Sequence, residues 1–117
     1  MRESKVEMIL VRGIRKLGGW AYKWVSPGND GVPDRIVILP GQRPIFVELK
    51  AERGRLTALQ KVQIDRLRMM RQDARVLYGE KEVRGFLAEK SATTNLFPSE
   101  GIKAVRINCD NVSGTFP

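Results

Sequence analysis

The stretch GVPDRIVILPGQRPIFVELK, residues 31–50, decides the fold of this 117-residue chain. It contains two apolar runs, Ile36 to Leu39 and Ile45 to Leu49, in which β-branched residues and leucine predominate. Short runs of this kind are typical of buried strands. Because Pro40-Gly41 between them favours a turn, the stretch predicts a hairpin whose two strands form the centre of a sheet.

The sequence around this hairpin predicts three helices and two further strands. Residues 26–33, SPGNDGVP, are dense in turn formers and predict a loop that leads to Asp34. The order α-β-β-β-α-β-α indicates an α/β fold, with a mixed sheet flanked by helices. The flanking elements are expected at Ser4 to Leu17 (helix), Trp20 to Val25 (strand), Thr57 to about Gln72 (helix), Ala74 to Tyr78 (strand) and Glu82 to Glu89 (helix).

The helix expected from Thr57 to about Gln72 is predicted to be amphipathic. Lysine and arginine alternate with its apolar residues and are expected to face outward. The positions expected to face the core are Leu59, Val62 with Gln63, Leu67 and Met70.

The composition excludes several classes of function. The chain has no histidine, which excludes Ser-His-Asp relays and histidine-bearing metal sites, and its single cysteine cannot form an internal disulfide. The formal charge of +8 favours a polyanionic partner, although a well-solvated basic surface would have the same composition. Because no apolar run approaches the roughly 18 residues of a membrane span, and the N-terminus lacks a signal segment, we expect no membrane partner and a cytoplasmic location.

Asp34, Glu48 and Lys50 are the residues best placed to carry chemistry. Glu48 and Lys50 lie two positions apart on one strand and share a face, and Asp34 opens the neighbouring strand, about 4.8 Å away. Two carboxylates, a main-chain carbonyl and waters make an incomplete Mg²⁺ shell that leaves positions for a phosphate. The alternative is that Glu48 and Lys50 form only an ion pair at a frayed strand end.

Six short motifs occur in order over residues 1–90. They are Glu3-Ser4-Lys5-Val6-Glu7, Leu17-Gly18-Gly19, Tyr22-Lys23, Gly31-Val32-Pro33-Asp34-Arg35, Phe46-Val47-Glu48-Leu49-Lys50 and Gln60. Pro33-Asp34, thirteen residues and then Glu48-Leu49-Lys50 match the PD-(D/E)XK signature of restriction-endonuclease-like nucleases, whose core is αβββαβ. With all six motifs, the chain resembles more narrowly a stand-alone, phage-type VRR-NUC domain. One departure is Arg71-Gln72-Asp73, where such domains often turn on a glycine.

The resemblance implies a metal-dependent phosphodiesterase that uses Mg²⁺ or Mn²⁺. Asp34 and Glu48 would hold the ion, with the Leu49 carbonyl as a further ligand. Lys50 would then position or activate the attacking water and offset charge on the phosphorus.

Two further residues implied by the resemblance also have a structural interpretation. Glu3 is expected as an additional acidic member of the site, in preference to Glu7, which fits a helix capping box with Ser4. Gln60 is expected to support the site by contacting water or phosphate, yet Thr57-Ala58-Leu59-Gln60 is also a capping-box pattern.

The resemblance also implies DNA as the partner. Lys23, Arg53, Arg55 and Lys61 are expected to contact the phosphate backbone without reading sequence. Homodimers acting on branched DNA, such as four-way junctions, are implied, which predicts a structure-selective endonuclease. The alternatives are a non-catalytic basic nucleic-acid-binding module and a metal-dependent enzyme acting on nucleotides or RNA.

The resemblance ends near residue 90. Residues 1–90 are therefore predicted to form the nuclease domain, and residues 91–117 a C-terminal appendage of unknown role with a candidate strand at Ile102 to Ile107. The expected location is the cytoplasm of a bacterial or phage-infected cell.

Overall fold

A computed structural model describes residues 3–94, and the predicted order of elements is confirmed. The candidate strand at Ile102 to Ile107 lies outside the described residues. The elements are α1 (Glu3–Lys16), β1 (Trp20–Lys23), β2 (Arg35–Ile38), β3 (Ile45–Lys50), α2 (Ala58–Met69), β4 (Asp73–Tyr78) and α3 (Gly79–Thr94).

The four strands form one mixed sheet in the order β1-β2-β3-β4. β1 pairs with β2 and β2 with β3 in antiparallel fashion, whereas β3 and β4 run parallel. The hairpin of β2 and β3 therefore occupies the centre of the sheet, as residues 31–50 predict. Its register pairs Arg35 with Val47 and Ile36 with Phe46.

One face of the sheet carries the hydrophobic core. α1 and α3 pack against each other on this face, and α1 buries Val6, Leu10 and Ile14 completely at intervals of one helical turn. Alternate strand residues point toward these helices, so that every second position of β3 enters the core. The sheet contributes Ala21, Val37, Ile45, Val47, Leu49 and Leu77 to this cluster.

The other face is covered by α2 over β4, and the predicted orientation of α2 is wrong. Leu59, Val62 and Met70 are exposed rather than buried. Of the helix's residues, Ile64 is the buried one, and Leu67 is partly buried. Apolar residues occur on more than one side of this helix, so periodicity alone did not identify the packed face.

α3 is longer than the predicted Glu82 to Glu89 and runs through residue 90 to Thr94. It starts directly after β4, because Gly79 adopts a φ of 76° that lets the chain turn at once. Toward its end, Lys90 and Thr94 are buried one turn apart. The ammonium of Lys90 lies near Glu89 and the Phe86 ring, so the lysine stem is buried while its charge is paired.

Arg75 links β4 to α3 through side-chain hydrogen bonds. Its guanidinium donates to Asp73 on its own strand and to both carboxylate oxygens of Glu89 on the helix. These hydrogen bonds raise the pKa of Arg75, and the bond from Arg75 is the main cause that lowers the pKa of Glu89. Within residues 3–94, none of the helices combines the length and the apolar character needed to cross a bilayer.

Candidate active site

Asp34 is fixed between two strands at the entrance to β2. The register that pairs Arg35 with Val47, continued by one residue, places Asp34 opposite Glu48. The carboxylate oxygen Oδ2 of Asp34 accepts a hydrogen bond from the Leu49 N–H at 2.9 Å, and its carbonyl accepts one from the Trp24 N–H at 2.9 Å. The carboxylate is thereby held against β3 at the position of Glu48.

Glu48 is the most buried charged side chain of the described residues and shares its face of β3 with Lys50. Its exposed fraction is 1%, and its Oε2 lies 3.5 Å from the Nζ of Lys50, whose side chain is 13% exposed. Burying a carboxylate costs several kcal/mol unless it is paired, so the ion pair with Lys50 offsets part of that cost. The alternative placed this ion pair at a frayed strand end, whereas the structure buries it.

Gln60 forms the capping box that its sequence context suggested and also contacts Glu48, while its expected contact with water or phosphate stays a prediction. At the start of α2, its backbone N–H donates to the Thr57 hydroxyl at 3.1 Å, and its side-chain Oε1 accepts from the Thr57 N–H at 2.9 Å, which completes a capping box. Its Nε2 then donates to Glu48 Oε2 at 3.1 Å. Because the cap uses the amide oxygen, the amide nitrogen is directed toward Glu48.

The loop that leads to Asp34 is seated on the same end of α2. Gly31 has a φ of 87°, and a Cβ there would lie 2.6 Å from the carbonyl carbon of Leu59. Gln63 donates to the carbonyl of Asp30 at 3.3 Å, which adds a second attachment. The sequence motif includes Gly31 but does not by itself assign it this role. The signal in the sequence is a glycine among turn formers, three residues before Asp34.

The two acidic candidates of α1 have different outcomes. Glu7 accepts a hydrogen bond from Arg35 of β2 in a half-buried ion pair. Ser4 lies inside α1 rather than at its cap, so Glu7 holds the helix to the sheet instead of completing a capping box. Glu3 is the first described residue of the same helix, and its side chain lies outside the described part of the structure.

The start of α1 lies at the end of the sheet where β4 ends. Glu80 follows β4, and its pKa is lowered mainly by a hydrogen bond from Arg84. The nearby charge of Lys5, on the first turn of α1, lowers it further. Because β3 and β4 run parallel and Lys50 pairs with Tyr78, this is also the end that carries Lys50. The helix entrance that bears Glu3 thus lies at the same end of the sheet as Lys50, although α1 packs on the face opposite to Glu48.

The four predicted DNA-contacting cations do not form one cluster. Arg53 and Arg55 are exposed in the connection that directly follows Lys50. Lys61 is exposed on α2, where its Nζ lies 3.5 Å from Asp65. Lys23 is exposed opposite Arg35, and strand alternation places it on the face away from Glu48.

The donor set at Asp34 and Glu48 fits a hard divalent cation. Within the part of the chain that the structure describes, no three acidic or cysteine side chains gather into a metal site of their own. Mg²⁺ sites in phosphate enzymes commonly use only one or two carboxylates and leave the other positions to water and substrate phosphate. The Leu49 N–H points to Asp34, and the N–H and C=O of one strand residue share an edge, so the Leu49 carbonyl lies at this same edge.

Comparisons with known proteins agree with the fold. No protein-family model matches the sequence. A solved structure described as "VRR_NUC domain" matches with a TM-score of 0.70 and 29% identity, over 74% of this chain and 94% of that chain. "Putative nuclease p44" of Acyrthosiphon pisum secondary endosymbiont phage 1 is 59% identical over 51 residues, which are 44% of this chain and 55% of that protein. The match thus spans about half the length of this curated relative.

Proposed function

We propose that the chain is a VRR-NUC nuclease domain of the phage type, which its likeness to the two proteins above supports, and that it hydrolyses phosphodiester bonds in DNA with Mg²⁺ or Mn²⁺ held by Asp34 and Glu48. The observation that carries this proposal is the convergence of Asp34, Glu48 and Lys50 at one end of the two central strands. A buried carboxylate that keeps a lysine and an amide beside it is costly as a purely structural device. This cost supports a site that binds a cation next to a phosphate.

Each residue of the cluster has a distinct task in this proposal. Asp34, held by the Leu49 N–H, and Glu48, held by Gln60 and Lys50, present carboxylate oxygens to the cation, and Glu3 is proposed as a further acidic member. When bound, the cation neutralises the scissile phosphate and lowers the pKa of a water molecule. Lys50 remains beside Glu48 and donates hydrogen bonds to the attacking water or to a phosphate oxygen.

The substrate we propose is branched duplex DNA, cut in the cytoplasm of a bacterial or phage-infected cell. The exposed arginines after β3, Arg53 and Arg55, support it because they adjoin Lys50 and can hold the backbone beside the cut. Lys61 on α2 and Lys23 on β1 would extend these contacts to more distant phosphates. Such contacts read shape rather than sequence, so selectivity is expected to follow the branch.

A homodimer is the proposed working form. Two copies related by a two-fold axis would present two sites to a four-way junction. The outer surface of α2 supports association because its apolar side chains are largely exposed, and a cluster of this kind is uncommon on a monomer. These side chains are Leu59, Val62, Met69 and Met70.

A nicking assay tests the proposed activity. Supercoiled plasmid and a synthetic four-way junction are incubated with the protein in Mg²⁺, in Mn²⁺ and in chelator. We expect cleavage only with the cation, and a loss of at least about 100-fold in Asp34→Asn and in Lys50→Met. Lys16→Met, which changes an exposed lysine of α1, is the matched control and should cut normally.

The same assay separates the alternatives. Binding of DNA without cleavage under any condition would identify a non-catalytic nucleic-acid-binding module. Cleavage of RNA or nucleotides in preference to every DNA substrate would identify the other class of enzyme. Cleavage that persists unchanged in Asp34→Asn and Lys50→Met would overturn the residue assignment even if the activity is real.

A further inference from the structure

A row of aromatic side chains runs across the sheet toward the candidate active site. Tyr22 pairs with Ile36, and Ile36 pairs with Phe46, so these three side chains share one face. Phe46 lies two positions before Glu48 and therefore on the face of the acidic cluster. The Trp24 ring packs on Phe46 with centroids 5.3 Å apart, and the Trp24 N–H is the donor to the carbonyl of Asp34.

The outer part of this row is open to solvent. Trp20 is 48% exposed, Tyr22 is 54% exposed, and their ring centroids are 6.4 Å apart. Ile38, opposite Trp20, is 37% exposed. Since α2 packs over β4 at the far side of the sheet, this helix does not bury the face at β1. We call Trp20, Tyr22 and Ile38 the aromatic face.

Positive charge borders the aromatic face. The guanidinium carbon of Arg15 lies 4.8 Å from the centroid of the Trp20 ring. Arg15, Trp20, Tyr22 and Ile38 line a depression of about 530 Å³, a volume in the range of small-molecule sites. Exposed rings with cations at their border are the combination that binds single-stranded nucleic acid, since bases stack on the rings while the phosphates pair with the cations.

We propose that the aromatic face stacks unpaired bases of the DNA strand that is cut a few nucleotides away. This inference rests on the proposed nuclease function and specifies its substrate: DNA with unpaired bases beside the scissile phosphate. Trp20 and Trp24 are four positions apart, a separation of about 13 Å at about 3.3 Å per residue. Since Trp24 adjoins Asp34, a strand whose phosphate lies at Asp34 can extend along β1 and place its bases on Tyr22 and Trp20.

Charge favours DNA over a second copy of the chain as the occupant of this face. Phosphates complement Arg15, whereas the same arginine of two copies, brought together around a two-fold axis, would repel. The aromatic face also continues without interruption into the acidic cluster through Trp24 and Phe46, and this continuity is what a substrate strand requires.

Binding measured without cleavage tests the inference. The Asp34→Asn protein, in chelator, is titrated by fluorescence anisotropy with a blunt duplex, with the same duplex carrying a short oligothymidine tail, and with oligothymidine alone. The double change Trp20→Ala and Tyr22→Ala is expected to weaken binding of the tailed duplex and of oligothymidine by at least about 10-fold. The double-alanine variant is expected to lose affinity only for DNA with unpaired bases and to bind the blunt duplex as the parent does.

Two matched variants keep the result interpretable. Trp20→Phe with Tyr22→Phe retains the rings and should restore most of the affinity. Met8→Ala removes an apolar side chain that is 49% exposed on α1 and should bind all three DNAs as the parent does. Thermal melting of each variant shows whether it is folded.

Several results would overturn the inference. These are equal affinities of parent and double-alanine protein for the tailed duplex, an equal loss for blunt and tailed duplex in a folded variant, or a change of oligomeric state in the double-alanine protein by light scattering. The last result would assign the face to a second copy. Because the titration needs neither metal nor cleavage, failure of the wild-type protein to nick DNA refutes the proposed function alone.

Discussion

Gln60 gives the sharpest test of how the site is held together. Its Nε2 donates to Glu48 Oε2 at 3.1 Å, and its Oε1 accepts from the Thr57 N–H in the capping box. Gln60→Met keeps the length of the side chain and removes both hydrogen bonds. Thr57→Ala removes the hydroxyl that accepts from the Gln60 N–H but leaves the backbone N–H of residue 57 to hold the Gln60 amide.

The structure separates the magnitudes of the two effects. Loss of the Thr57 hydroxyl costs about 1 kcal/mol of folding free energy, the usual value of an N-cap. A hydrogen bond to a charged group contributes about 1.5–3 kcal/mol, and removing a partner that orients a metal-binding carboxylate costs about 10- to 100-fold in affinity or activity. Both variants should therefore be less stable, but only Gln60→Met should lose cleavage by about 10- to 100-fold.

The assay is single-turnover nicking of supercoiled plasmid over a series of Mg²⁺ concentrations, with thermal melting of each protein. We expect Gln60→Met to need more Mg²⁺ or to cut more slowly at saturation, while Thr57→Ala cuts like the wild type once folded. Wild-type cleavage by Gln60→Met, or an equal loss in Thr57→Ala, would refute the reasoning, because the contact with Glu48 would then make no separate contribution.

Two further predictions concern the loop before Asp34 and the loss of stability at low pH. Gly31→Ala should lower the free energy of unfolding by about 2–4 kcal/mol, because the new Cβ would combine a positive φ with a clash against Leu59. Gly28→Ala should lower it by only about 1 kcal/mol, because Gly28 has a φ of 81° but nothing within 4 Å of the new Cβ. Equal costs of the two substitutions in denaturant titrations would contradict this. The pKa of Glu89 is lowered by Arg75, so its stabilisation is present above its ordinary pKa of 4.5 and is lost as pH falls through the lower folded value. Glu89→Gln should therefore lose less stability than the wild type as the pH falls. The same dependence of melting temperature on pH in both proteins would contradict a contribution of Glu89.

The central sheet and the positions of Asp34, Glu48 and Lys50 could be predicted from sequence, because they depend on the two-residue alternation of a strand and on a short turn. Alternation along β3 places Glu48 and Lys50 on one face whatever the rest of the chain does. The turn at Pro40-Gly41 fixes the hairpin, and its register then places Asp34 opposite Glu48. Local rules therefore determine this part of the site.

The packing of α2 could not be predicted in the same way. Its sequence has apolar residues on more than one side, and the face that packs includes Gln60 because a buried carboxylate on β3 needs a polar partner. That requirement comes from a residue twelve positions earlier in the chain, on another element. The aromatic face is non-local for the same reason, since the exposure of Trp20 and Tyr22 depends on where α2 lies.

A titration with Mn²⁺, followed by the loss of the free-ion electron paramagnetic resonance signal, tests the central claim most directly, without DNA or cleavage. We expect saturable binding by the wild-type protein that weakens by at least about 10-fold in Asp34→Asn and in Glu48→Gln. Asp65→Asn, at an exposed carboxylate paired with Lys61, should bind like the wild type. The same Mn²⁺ affinity in all four proteins, or no saturable binding in any of them, would contradict a cation site formed by Asp34 and Glu48.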